Sequence, residues 1–317
     1  MEDTIVTTMK AIRIHAYGGV ENLYYDDVLR PEPQAGQVLV RVHAAGVNPI
    51  DWKIREGYFK QMLDLPLPVI IGEDIAGVVA AVGSGVTTLQ PGQDVYGIAD
   101  LQLSGAYAEY ALCYAEAIAP MPHTLDYIHA AAVPLAAMTA WQALFDKADL
   151  HSGQTLLIHG GAGGVGGYAI QLAKLKGARV IATAAAAHVD YVKNLGADLV
   201  IDYHAQPFEQ QVKDIDVVLD LVGGETQARS WQVIRHGGIL VSTLGVPAAG
   251  IPPGIRAAAV VLDPKAEREL QQIAQLIDAH QIEVTVEKTF ELSAAAAAQE
   301  FSQHGHPYGK LVLQVTH

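Results

Sequence analysis

The sequence predicts an α/β protein in which a doubly wound parallel-sheet domain is inserted into a β-rich domain that the chain leaves and later re-enters. Three observations predict it. The run Leu156–Gly167, LLIHGGAGGVGG, joins a short apolar strand to a helix through glycines. Beyond it, continuous apolar strands alternate with helical segments, as expected of strands buried on both faces. Before and after this region, short β-like runs are separated by Gly/Pro turns, the texture of a compact barrel.

Residues 9–123 carry the first β texture in MKAIRIHAY, QVLVRVHAAGVN, IAGVVAAVG and AYAEYALC. The Ala-rich stretch Ala130–Leu150 is expected to be helical and to lead into the glycine strand. After the glycines, Val165, Tyr168, Ala169, Leu172 and Ala173 recur at helical spacing, Gly177 stops the helix, and Ala178–Thr183 forms a second strand. Further strands are expected at Leu199–Asp202, Val217–Leu221, Gly238–Thr243 and Ala258–Leu262, with a helix over Lys265–Ala279. The tail returns to β texture at Glu283–Phe290 and Lys310–Val315 around a short Ala-rich helix. The expected organisation is 1–124 and 282–317 for the β-rich domain and 125–281 for the inserted one.

Composition limits the functions available. The chain has 317 residues, half of them hydrophobic and 17% charged, enough for two domains with ample cores. A net charge of −14 without a basic stripe argues against nucleic acid as a partner. No apolar run reaches the roughly 18 residues of a membrane span. The opening MEDTIVTTMKAIRI starts with acids and lacks a basic-then-apolar leader, so no membrane and a cytoplasmic location are expected. The single cysteine, Cys113, excludes a disulfide framework and sits in an apolar run that suits a buried thiol better than a nucleophile.

The glycine run fits G-x-G-x-x-G with Gly161, Gly163 and Gly166. In that geometry the first glycine permits the tight turn, the second lets backbone approach a pyrophosphate, and the third lets helix pack on strand. The following helix turns its free N–H groups and positive dipole end toward phosphates. With the strand on either side this is a complete β-α-β dinucleotide-binding unit, so the inserted domain is expected to be of the Rossmann type. No acid follows the second strand before Asp190, which admits a 2′-phosphate and favours NADPH over NADH. Thr183, Ala184, His188, Lys193 and Tyr203 are the residues placed to approach the adenosine end.

The chain resembles the medium-chain dehydrogenase/reductase superfamily, specifically its zinc-independent quinone oxidoreductase branch. The resemblance is carried across residues 9–317 by ordered motifs that include AAGVNPIDWKIREG, PVIIGEDIAGVVAAVGSGV, AAMTAWQAL, HGGAGGVGGYAIQLAK, LGADLVIDY, DVVLDLVGG, GGILVSTLG and GKLVLQV. It implies a GroES-like domain, an inserted Rossmann domain and a cofactor cleft. Zinc-dependent relatives place ligands where this chain has Asn48, Glu73 and Leu135, a set that cannot reproduce a thiolate/imidazole site. No zinc is therefore expected.

Without a Lewis acid, the chemistry implied is hydride transfer to an acceptor that is already activated, a quinone or the β-carbon of an α,β-unsaturated carbonyl. A donor at the carbonyl oxygen would stabilise the developing anion, a contribution of roughly 2.7–4 kcal/mol. The resemblance assigns Asn48 and Lys53 to the nicotinamide and its ribose, and Tyr58 to the substrate; these three are the catalytic candidates. Asp51 either holds Lys53 or Asn48 in place or caps the loop. The other cofactor positions implied are Thr139 at the carboxamide, Gly163, Gly164 and Val165 at the pyrophosphate, and Leu221, Leu244, Gly245, Val246 and Lys310. Leu221 and Leu244 read equally well as sheet core.

A homodimer through the edge strand Ala258–Leu262 is expected. Two alternatives stay open: an enoyl-thioester reductase, which needs a pocket for a phosphopantetheine arm, and a non-catalytic NADPH-binding sensor or crystallin-like protein, which would bind NADPH and turn nothing over.

Overall fold

The computed structural model describes residues 7–315. Of the segment MEDTIVTTMKAIRI, on which the leader reading rests, the first six residues lie outside the described residues. In chain order the first elements are β1 (Thr8–Ile14), β2 (Leu23–Leu29), β3 (Gln37–Val47), α1 (Pro49–Arg55), β4 (Val69–Ile70), β5 (Asp74–Val82), β6 (Asp94–Ile98), β7 (Tyr110–Tyr114) and β8 (Ile118–Pro120). Then follow α2 (Tyr127–Ala131), α3 (Pro134–Trp141), β9 (Thr155–His159), α4 (Gly164–Leu175), β10 (Arg179–Ala184), α5 (Val189–Asn194), β11 (Leu199–Asp202), β12 (Ile215–Asp220), α6 (Gly224–Ser230), β13 (Ile234–Ser242) and β14 (Arg256–Ala259). The chain closes with α7 (Glu267–Asp278), β15 (Val286–Glu291), α8 (Ala295–His304) and β16 (Lys310–Gln314).

These elements form two compact units. The first comprises residues up to 135 together with 264–278 and 284 onward; the second comprises 136–263 and 279–283. The first unit is built on the eleven-residue β3, whose apolar face Val38, Val40 and Val42 is fully buried while Arg41 stays in water. Its length lets it serve two partners on one edge. Residues 37–41 pair with β7 and 44–47 with β16, while β5 pairs along the other edge. The resulting sheet runs β15-β16-β3-β5-β6-β8, with β2-β1-β4 as a separate three-stranded sheet. The helix α1 starts abruptly after β3 because Asn48 caps it, Pro49 occupies its first turn and Asp51 accepts the Asn48 N–H at 2.7 Å.

The second unit is a six-stranded, all-parallel sheet in the order β11-β10-β9-β12-β13-β14. Numbered within the unit this is 3-2-1-4-5-6, the doubly wound arrangement, with its switch point between β9 and β12. Leu157, Ile181 and Val218 are buried on three neighbouring strands, so one apolar layer crosses the switch point.

Two expected elements differ. The stretch Ala130–Leu150 is not one helix but α2, α3 and a π-helical turn at Gln142–Lys147. Pro134 has no N–H to continue α2 and instead begins α3. The strand expected at Ala258–Leu262 is β14, Arg256–Ala259. Its partner β13 ends at Ser242 opposite Ala259, so nothing remains for Val261 and Leu262 to pair with, and Val261 is 81% exposed. The strands β2, β4, β6 and β8 lie outside the expected runs.

Helix α7 buries Leu270, Ile273, Ala274 and Ile277, one helical stripe. Tyr96 on β6 reaches it by donating its buried hydroxyl to the Leu270 carbonyl at 2.6 Å. Replacing Tyr96 with Phe is expected to cost about 1 kcal/mol of unfolding free energy. Denaturant titration checks this, and an unchanged midpoint would remove the bond from the account of how α7 is held.

Candidate active site

Strand register assembles the polar centre of the first unit. Leu311 lies opposite Val47, and Ala45 opposite Ile75, so Lys310, Asn48 and Asp74 come together at the neighbouring ends of β16, β3 and β5. Asn48 is 2% exposed, Lys310 5%, and Asp74 fully buried. The Lys310 ammonium donates to Asn48 Oδ1 and, at 3.1 Å, to Asp74 Oδ2. Asn48 Nδ2 donates to the same Asp74 oxygen at 2.9 Å, and Asp74 Oδ1 accepts the Leu135 N–H at 2.7 Å. Each buried polar group thus has a partner of opposite sign or complementary type, the condition for burying charge.

Two more carboxyls flank this cluster. Asp51 Oδ2 accepts the Asn48 N–H and the Tyr107 hydroxyl, both at 2.7 Å, while its Oδ1 is buried without a partner. Desolvation pushes the Asp51 carboxyl up to about 7. Glu73 Oε2 is likewise buried and unpartnered. Desolvation, then repulsion from Asp51, Asp74 and Asp100, pushes Glu73 up to about 8. Gly72 turns the chain there with φ +86°, and the Tyr107 ring fills the space a side chain would need.

In the second unit the left-handed glycine of the turn is Gly160, φ +82°, rather than Gly161. Gly161 is required for another reason: a Cβ there would lie 2.8 Å from Cβ of Ala182 on β10. A Cβ at Gly166 would run into the Gly160 carbonyl and the Gly161 backbone, so this glycine sets the helix against the turn. A Cβ at Gly163 would meet only the Gly160 oxygen at 3.6 Å, so the start of α4 is open. The first N–H groups of α4 have no acceptor within the helix, and the opening suits a phosphate. Gly160 also faces the loop after β12, with Leu221 and Val222 3.5 and 3.6 Å from its Cβ position. This is the switch-point crevice of a doubly wound sheet.

Buried side chains brace the crevice from below. Gly160 N–H donates to Thr183 Oγ1 at 3.3 Å, and His159 lies between Thr183 Oγ1 (3.3 Å) and Ser230 Oγ (2.9 Å). Ser230 gives its hydroxyl proton to the Thr226 carbonyl, so His159 Nε2 donates to Ser230 and Nδ1 accepts from Thr183. The ring is neutral, and desolvation pulls it down to about 4. Asp220, at the end of β12, accepts from Val222 N–H, Gly223 N–H, Gln227 Nε2 and Ser242 Oγ at 2.8–3.1 Å.

Of the candidates read from the sequence, Asn48 and Lys310 meet directly. Lys53, on α1, does not join them. Its half-buried ammonium lies 5.4 Å from the centroid of the Trp52 ring, and burial lowers its pKa. Asp51 holds the Asn48 backbone and not Lys53. Tyr58 is 67% exposed and stands edge-on to Trp52. Thr139 is buried on α3. Gly163, Gly164 and Val165 form the start of α4, and Thr183 and Ala184 end β10. His188 caps α5, and Tyr203 is exposed beyond β11. Leu221 is half-buried and Leu244 exposed, while Gly245 and Val246 follow β13, with the Gly245 carbonyl accepting from Gln227. Asp74, Tyr107, His159 and Asp220 were not singled out. An Asp opening the apolar run DIAGVV was the available signal, because a carboxylate buried there needs partners.

Comparison with known proteins agrees with this architecture. Residues 34–123 match the family described as alcohol dehydrogenase GroES-like domain, and residues 195–313 match the one described as zinc-binding dehydrogenase. The chain is 41% identical to 2-methylene-furan-3-one reductase of Solanum lycopersicum over 80% of its length, spanning 66% of that protein. It is 36% identical to the chloroplastic NADPH-dependent alkenal/one oxidoreductase of Arabidopsis thaliana, covering 98% of this chain and 80% of the other. The solved quinone oxidoreductase of Coxiella burnetii superposes with a TM-score of 0.90 at 35% identity, covering 98% of this chain and all of that one. The chain belongs to the medium-chain dehydrogenase/reductase superfamily, within the branch of the quinone and alkenal/one oxidoreductases.

The Glu73 carboxyl, with its Oε2 buried, has a measurable consequence. The native state keeps its proton between the ordinary value of 4.5 and about 8, whereas the unfolded chain releases it there. The folded state then binds more protons, so stability falls as pH rises through this window. Glu73→Gln has no proton to lose. Its melting temperature relative to the parent is expected to rise between pH 5 and pH 8, and a difference that stays flat would refute the burial effect. Gly166→Ala is expected to weaken dinucleotide binding about tenfold or more, by about 1.4 kcal/mol or above, as read by fluorescence titration.

Proposed function

We propose that the chain is an NADPH-dependent reductase that delivers hydride to a quinone or to the activated C=C of an α,β-unsaturated carbonyl. The observation that carries this reading is the cluster at Asn48. The places that hold metal ligands in zinc-dependent relatives are filled here by a carboxamide, the carboxyl of Glu73 and the leucine side chain of residue 135, with the Lys310 ammonium already donating to Asn48 and Asp74. Leucine offers no ligand, and the Asn48 oxygen is occupied by a donor. This donor set does not fit zinc. The acceptor must then be one that needs no Lewis acid.

When bound, the reduced nicotinamide supplies the hydride. The chain's part is to bind, orient and donate. The open start of α4 at Gly163, Gly164 and Val165 receives the pyrophosphate. Thr183, Ala184, His188 and Tyr203 are assigned to the adenosine end, and the absence of an acid between Ala184 and Asp190 supports NADPH over NADH. Thr139, Leu221, Leu244, Gly245 and Val246 are the remaining cofactor positions, and Asn48 and Lys53 serve the reacting end. A hydride at the β-carbon leaves negative charge on the carbonyl oxygen, which a donor stabilises until a proton arrives. Lys53, half-buried and with no carboxylate partner among the described residues, is the donor assigned to that oxygen, and Tyr58 bounds the substrate. The relatives' names support these acceptor classes.

The same proposal includes 1–124 with 282–317 and 125–281 as functional domains, and a homodimer through the free edge of β14. No helix among the described residues is long and apolar enough to cross a membrane; a cytoplasmic location is part of the reading.

NADPH oxidation with a panel of quinones and enones is the test. Turnover that survives a chelator, with none from simple alcohols plus NADP, is expected. Chelator-sensitive alcohol oxidation would overturn the reading. Lys53→Ala should lose roughly a hundredfold in kcat while its NADPH dissociation constant changes little; unchanged turnover would remove Lys53 from its role.

A further inference from the structure

The Asn48 carboxamide is held in one of its two flip states by groups that cannot exchange roles. Lys310 can only donate, so the atom facing it must be Oδ1. The Asp74 carboxylate can only accept, so the atom facing it must be Nδ2. One Nδ2 hydrogen is spent on Asp74. The other has no partner among the described residues, although Asn48 is almost completely buried. Asp74 is itself fixed from two more sides. Its second oxygen accepts the Leu135 N–H, and Gly46 beside it has no side chain, since a Cβ there would lie 2.7 Å from Asp74 Oδ2. The backbone of Asn48 is fixed in turn by the Asp51 carboxylate.

We propose that Asp74 and Lys310 are positioning residues whose joint task is to aim the free Nδ2–H of Asn48 at an acceptor oxygen. This rests on the reductase reading for the identity of that oxygen: the carbonyl of the acceptor substrate or a ribose hydroxyl of the cofactor. The pair does two things that neither residue does alone. It sets which end of the amide is presented, and it neutralises the buried carboxylate so that the donor faces no net negative charge. Without the pair, an amide free to flip presents its oxygen as often as its N–H, and an oxygen repels an acceptor. A misplacement of about 1 Å at such a contact costs about a hundredfold in rate.

Removing one member would strand a buried charge. The informative variant is therefore the neutral pair Asp74→Asn with Lys310→Met, compared with Asn48→Ala and with all three changes together. The first readout needs no turnover: the side-chain amide resonances of Asn48 in the ligand-free protein. The parent should show two well-separated proton shifts, one moved downfield by the carboxylate. The pair variant should bring them together. In kinetics, the pair variant is expected to lose about tenfold to a hundredfold, and the triple variant should fall no more than about twofold below Asn48→Ala, because coupled residues are not additive. A loss in kcat or in KM for the enone assigns the donor to the substrate carbonyl. A loss in NADPH affinity alone assigns it to the ribose; both support the proposal. Amide shifts unchanged in a folded pair variant, or losses that multiply with Asn48→Ala, would overturn it. If the parent turns nothing over, the reductase reading fails, and the amide resonances still decide the role of Asp74 and Lys310.

Discussion

The first unit depends on one buried carboxylate. Asp74 opens β5 and receives hydrogen bonds from the cap of α1, from the ammonium of β16 and from the backbone at the start of α3. Those segments lie 26, 236 and 61 residues from it in sequence. A carboxylate taken out of water is tolerated only where such partners are complete, and breaking a buried pair costs about 3–5 kcal/mol. The requirement runs in both directions. Asp74 draws the ends of β3, β5 and β16 and the start of α3 together, and only their convergence supplies Asp74 with its partners.

The second unit meets a comparable problem with one buried carboxylate, Asp220, and a chain of neutral groups. Its crevice lies where two strand successions part, and the backbone there must stay open to a ligand while keeping its shape. The Thr183–His159–Ser230 chain and the four donors on Asp220 do this from beneath the turns. A neutral imidazole suits this place. It relays a fixed donor-to-acceptor direction through the core without itself bringing a charge toward the open start of α4, where backbone N–H groups already supply positive potential.

The architecture was legible in the sequence because its signals are local. Apolar runs such as LLIH and VVLD mark two-sided burial, and the glycines mark the turn. Boundaries that depend on a distant partner were less legible. Strand β14 stops where β13 ends, and nothing in AAAVVL reports that. Likewise Pro134 divides the Ala-rich stretch, although its composition reads as uniformly helical. Within the glycine run the spacing puts the tight turn at Gly161, one residue after the left-handed Gly160, since the two glycines are indistinguishable until the Ala182 side chain is in place. At the site, Asn48 and Lys310 came from family resemblance. Their direct contact, and the Asp74 that joins them, is a product of strand register across three elements.

The bracing by Asp220 has a further consequence for how this protein can diversify. Because Asp220, Ser242 and Gln227 secure the turns after β12 and β13 from inside, the chain from residue 247 to 251 is left with little part in holding the sheet together, whereas Gly254 accepts the Gly237 N–H of β13 and Ile255 packs on the core. The stretch before them is an evolutionary free margin. Residues there can be exchanged, lengthened or stiffened without touching the groups that shape the crevice, so selection on this stretch acts on what the molecule accepts and leaves how it folds unaffected.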